Sequence, residues 1–174
     1  MAITLISTVT VGAGGAASID FTSIPGTYTD LMLQINVRTN RALTEDWVLL
    51  TLNGSTSTFS SRILRGSGSA TSSFTQVRTL GDAPAATATS NTFSNQSLYI
   101  PNYAGSTNKS WSVDSVSENN GTTAWQYLIA GLWSTTSAIT SLSIAPEVGT
   151  AFVQYSTASL YGITKGSSGG VTVS

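Results

Sequence analysis

Acid–base chemistry in this chain would have to start from eight carboxylates: Asp20, Asp30, Glu45, Asp46, Asp82, Asp114, Glu118 and Glu147. There is no His and no Cys, so a serine nucleophile lacks an imidazole base and no thiolate is on offer. A Ser–Lys pair would draw on Lys109 or Lys165, both in expected loops, where water keeps an amine protonated. Asp114 and Glu118 share one expected strand, four residues apart. At about 3.3 Å per residue they stand about 13 Å apart, too far for either glycosidase geometry. Only acids converging from separate strands would supply that chemistry. Zinc and iron sites lack their usual nitrogen and sulfur ligands. Glu45 and Asp46 with Asn53 offer oxygens to calcium, but without EF-hand spacing. The glycine runs Gly12–Gly15 and Gly66–Ser69 have no Gly-Lys-Ser/Thr ending and no helix after them, so they read as connectors rather than phosphate loops. The expectation is a non-enzymatic protein with no cofactor and no metal.

Binding chemistry would rest on aromatic residues. Trp47, Trp111, Trp125, Trp133, Tyr99, Tyr127, Tyr155 and Tyr161 sit in or near apolar strands, which favours core or subunit interface over a sugar platform. Tyr103, in a Pro-Asn-Tyr-Ala-Gly turn, is the best placed of the aromatics to meet a glycan. Charge adds little. Charged residues make up 9% of the 174 residues, against about 25% in an average domain. Ser and Thr fill the gap with 55 positions. A net charge of −1 provides no field for nucleic acid or an anionic membrane, and it leaves little repulsion to keep copies apart. No basic segment precedes an apolar run at the N-terminus, and no apolar run reaches about 18 residues, so neither a secretory signal nor a membrane span is read.

The elements that would position these residues are strands. The central one is Trp125 to Trp133, followed by a Ser/Thr turn and a second strand ending at Pro146. One face of the first carries Trp125, Tyr127, Ile129, Gly131 and Trp133, and the other Gln126, Leu128, Ala130 and Leu132. With both faces mostly apolar, cover is expected on both sides: an opposing sheet on one, and a loop, an edge or a second copy of the chain on the other. Ile3 to Val11 alternates, with Ile3, Leu5, Ser7, Val9 and Val11 on one face. Tyr28 to Arg38 alternates most cleanly. Trp47 to Leu52 is continuously apolar and closes on Asn53-Gly54. Further strands are expected at Ala17–Phe21, Phe59–Arg65, Phe74–Leu80, Phe93–Ile100, Trp111–Val116 and Phe152–Ile163. Thr39–Asp46 and Gly81–Asn91 read as loops. No segment shows a 3.6-residue period. The fold class that follows is all-β, an antiparallel β-sandwich or jelly roll of about eight to ten strands. Residues 1–16 read as an N-terminal arm, 17–165 as the sandwich, and 166–174 as a Gly/Ser-rich tail. The arm, through Ile3, Leu5 and Ile6, and the aromatic face, through Trp125, Tyr127 and Trp133, are the expected contacts with other subunits.

Three segments in order resemble a group of small tailed-phage virion proteins: IPGTYTDLMLQINVRT with WVLLTLNG, then IPNYAGSTNKSWSV, then NNGTTAWQYLIAGLWSTTSAITSLSIAPEVGTAFVQYSTASLYGITKG. The resemblance runs from Ile24 to Gly166 and leaves out Gly66–Asn91. Its most specific parts are Leu132-Trp133 with Ser137–Thr140, Phe152–Tyr155 and Leu160–Ile163. It implies a β-sandwich or jelly roll in a virion, often trimeric, that decorates or cements heads or belongs to fibres and tails, with the major capsid protein or another virion protein as partner. The alternative role is a receptor-binding module for host glycans. The resemblance carries over no functional residue.

Overall fold

The computed structural model describes residues 1–118 and 124–165. The expected Asn119-Asn120-Gly121 turn and the expected tail lie outside them. The strands are β1 (Ala2–Thr10), β2 (Ile19–Phe21), β3 (Asp30–Asn36), β4 (Glu45–Leu52), β5 (Phe59–Gly66), β6 (Thr71–Phe74), β7 (Thr79–Pro84), β8 (Asn95–Ile100), β9 (Lys109–Glu118), β10 (Ala124–Trp133), β11 (Leu142–Pro146) and β12 (Thr157–Thr164). One sheet has eight strands in the order β1-β12-β3-β8-β9-β10-β5-β6, and the other has four in the order β2-β11-β4-β7. All pairings are antiparallel. The two sheets pack into a β-sandwich with no helix among the described residues.

Alternation decides which side of the large sheet is dry. Leu31, Leu33 and Ile35 of β3 are buried while Met32 and Gln34 stand on the other face. Trp111, Val113, Ser115 and Ser117 of β9 are buried while Ser112, Asp114, Val116 and Glu118 are exposed. Tyr127, Ile129 and Trp133 of β10 are buried against the same core. From the small sheet come Ile19, Phe21, Val48, Leu50, Leu52, Leu142 and Ile144. Gly131 has a packing reason: it lies opposite Trp111 in the β9–β10 register, and a Cβ there would strike the Trp111 indole.

Four expectations are corrected. The Phe74–Leu80 strand is two strands in different sheets, β6 and β7, with Arg78 between them at φ 63°. The small-residue stretch from Gly81, expected as a loop, continues β7 through Pro84, and every residue of β7 is buried. Small side chains make the stretch look like a linker, but they are what lets it pass between neighbours. The last strand starts at Thr157 rather than Phe152; Phe152 makes only isolated bridges to Ala16 and Thr39. The arm is not free: β1 pairs with β12 along its length, with a bulge between Leu5 and Ser7. A bulge adds one residue to one strand, so the expected single face of Ile3, Leu5, Ser7 and Val9 is split. Leu5 lies opposite outward Tyr161, whereas Val9 lies opposite buried Ala158. Ile6 and Val9 pack on the core; Ile3 and Leu5 face outward and are about half exposed.

Candidate functional site

The scarce charge is partly spent inside. Arg38, Asp46, Asp82 and Lys109 are buried, and all but Asp82 organise the backbone around them. Arg38 donates to the carbonyls of Ala88 at 2.9 Å, Thr89 at 2.7 Å and Thr92 at 3.3 Å, gathering the loop after β7. Lys109 is fully buried. Its ammonium donates to the Gly105 carbonyl at 2.6 Å and to that of Thr107. Desolvation holds its pKa below the usual lysine value. Asp46 accepts from the amides of Val148 at 3.2 Å and Gly149 at 2.9 Å and lies 3.6 Å from Arg41. Buried charge is tolerated only with such partners. Lys109 is thus bound to carbonyls, not poised beside a serine.

Asp82 is a buried carboxyl placed among aromatics. β7 brings it opposite Trp47 of β4, and the Tyr127 hydroxyl of β10 donates to its Oδ2. Trp47 meets the Tyr127 ring edge-on at 5.4 Å. Burial pushes the Asp82 carboxyl up to about 7, with Glu45 and Asp46 adding to the rise and the Tyr127 hydrogen bond and Arg65 opposing it. Burial and the nearby Asp82 push Tyr127 upward as well. Both groups are buried, so the pair reads as a core contact.

No group of three or more His, Cys, Asp or Glu residues gathers among the described residues. The calcium guess fails on placement, because Glu45 and Asn53 sit at opposite ends of β4. Asn53 instead accepts from the Thr140 amide at 2.8 Å and donates to the Ala138 carbonyl at 2.7 Å. Asp114 and Glu118 stand apart on the outer face of β9.

The open chemistry lies on the outer face of the large sheet. Cross-strand registers lay its residues in rows. One row runs Ser73, Leu64, Leu128, Asp114, Ser97, Gln34, Ser159 and Thr8. The next runs Arg62, Ala130, Ser112, Tyr99, Met32, Tyr161 and Leu5. The β5–β10 end carries exposed Leu64 (58%) and Leu128 (51%) side by side, with Val116 nearby (37%). A hollow of about 300 Å³ lies there, lined by Arg62, Leu64, Ser112, Leu128 and Ala130 among others. No carboxylate lines it. The second apolar face of β10 is therefore real but bare within the chain: the cover expected there is not supplied by any described segment.

The predicted contact residues separate accordingly. Ile3 and Leu5 are on the surface, and Ile6 is turned inward by the bulge. Tyr127 and Trp133 are core and have no surface to offer a partner. Trp125 is half-buried beneath the Arg65 guanidinium at 4.4 Å, so its own chain covers it. Tyr103, expected to be exposed, is fully buried and donates its hydroxyl to the Pro25 carbonyl. The most exposed tyrosine is Tyr155 (66%), held at φ 71°. Sequence reading missed Leu64 and Asp82. Leu64 could have been found from its alternation with Ile63 and Arg65; Asp82 sat in a stretch with no apolar period. Comparison with family models, with curated proteins and with solved structures finds no match to this chain.

Proposed function

We propose that this chain is a non-enzymatic structural protein of a phage virion, decorating or cementing the capsid surface through contacts between copies and with the capsid protein. The observation that carries the contact role is the bare outer face at the β5–β10 end. Leu64 and Leu128 form an apolar centre, and Arg62, Gln126, Ser112 and Asp114 surround it. An apolar centre inside a polar rim with Arg at its border is the make-up of a protein–protein contact. Part of the scarce charge, Arg38, Asp46 and Lys109, is bound to loop carbonyls and amides in the interior. The virion setting rests on the resemblance of the three segments quoted above, and the low charge suits a protein held among many copies. Many shallow contacts acting together would then supply affinity that no single one provides.

Immunogold labelling of intact particles with an antibody to this chain tests the reading. Label over the heads supports it, and absence of label from every particle overturns it. A second reading, recognition of host glycans at a tail or fibre, is favoured by one observation: Tyr155 is exposed and held with a positive φ, a strained backbone found at binding sites more than elsewhere. Label confined to the tail tip, with glycan-array binding lost in Tyr155→Ala, would select it.

A further inference from the structure

The eight-stranded sheet has two edges, β1 and β6. β6 has four residues, whereas β1 has nine. β1 hydrogen-bonds β12 on one side and has no strand on the other among the described residues. A long edge is a row of unpaired amides and carbonyls, and monomeric proteins blunt such rows with charge, proline or cover. β1 carries no charge and no proline, and no described segment covers it. Its sequence is AITLISTVT, and Asp20 is the first charged side chain in the chain. Its bulge lies mid-strand and leaves residues 2–5 in regular pairing with β12.

We infer that β1 pairs with β1 of a second copy, antiparallel and about a twofold axis, joining two eight-stranded sheets into one. The occupant follows from the strand itself. A backbone edge asks for another strand, and two identical strands meeting antiparallel form a self-complementary, isologous contact. Ile3 and Leu5 face the same way. Centring the axis on Thr4 sets Ile3 against Leu5 of the other copy twice, apolar against apolar, and Thr4 against its twin. These residues adjoin Tyr161 and Met32 on the outer face, so the two outer surfaces run on across the axis. Centring on Ile3 or on Leu5 would pair that residue with itself, and centring to either side of Thr4 would set Ile3 or Leu5 against Thr4. An isologous pair replaces the trimer implied by the resemblance as the first assembly step. The inference deepens the assembling role proposed above, but it would stand for the purified protein even if the particle location proved different.

The absence of Cys makes a single introduced thiol a clean reporter. Thr4 is exposed, so Thr4→Cys leaves the core untouched. Directly opposed residues in an antiparallel pair lie about 4.5 to 5.5 Å apart at Cα, within disulfide reach. Mild oxidation of purified full-length Thr4→Cys should give mostly a covalent dimer, Thr10→Cys should remain largely monomeric, and Leu5→Lys in the Thr4→Cys background should reduce cross-linking at least tenfold. Far-ultraviolet circular dichroism should show the same β spectrum for all three. Equal cross-linking at positions 4 and 10, or a wild-type chain that sediments as a monomer at high concentration, would overturn the inference. Labelling of particles reports on location and is independent of this result.

Discussion

Leu128 and Tyr127 are neighbours on β10, yet they meet opposite surroundings. Tyr127 points into the sandwich, where it binds a buried carboxyl and an indole edge; Leu128 points out and is half exposed. The same inversion holds for the molecule. Its interior and loop rims contain Arg38, Asp46, Asp82 and Lys109, while its outer face presents Leu64, Leu128, Ile3 and Leu5. The difference shows where each kind of group contributes. A buried charge with full partners fixes loops but is costly to disturb, whereas an exposed apolar residue adds little to the monomer and becomes favourable only when something covers it.

The largest expected break of this contrast is in pH dependence. The folded value of Asp82, about 7, lies above its unfolded value of 3.8, so between them the native state keeps a proton the unfolded chain has released. Stability from this site is fully present below about pH 4 and falls as pH rises towards 7, by up to roughly 4 kcal/mol. Urea denaturation across pH 4 to 8 should show that decline in the wild type relative to Asp82→Asn, which keeps a partner for Tyr127 but cannot ionise. Next comes Lys109→Met. It removes the charged donor that the Gly105 and Thr107 carbonyls share, and should cost about 3 kcal/mol by the same measurement. Gly131→Ala should cost about 2 kcal/mol, because the Trp111 ring must shift in a packed core. Ala130→Ser, its outward neighbour, should change stability by less than about 0.5 kcal/mol.

The sandwich was legible because alternation over β3 is strong, and that strand has one face that must be dry. The two dry faces of β10 were also legible in Leu128, Ala130 and Leu132, although the chain itself covers only one. What escaped sequence reading has three physical sources. β7 is built from Gly, Ala and Pro around Asp82, so its burial leaves no hydrophobic period. Tyr103 stands in a Pro-Asn turn whose composition speaks of solvent, yet its ring enters the core because its hydroxyl finds the Pro25 carbonyl. The bulge in β1 is likewise invisible in an unbroken alternation, and it decides that Ile3 and Leu5 face out while Ile6 and Val9 face in.

The division between a stabilising interior and a contact-making outer face is tested most directly on the double variant Leu64→Ser, Leu128→Ser. Its unfolding free energy and its incorporation into particles would be measured side by side. Unfolding free energy within about 0.5 kcal/mol of wild type, together with loss of incorporation, is the predicted result. A variant that loses several kcal/mol, or one that enters particles as well as the wild type does, would contradict the account.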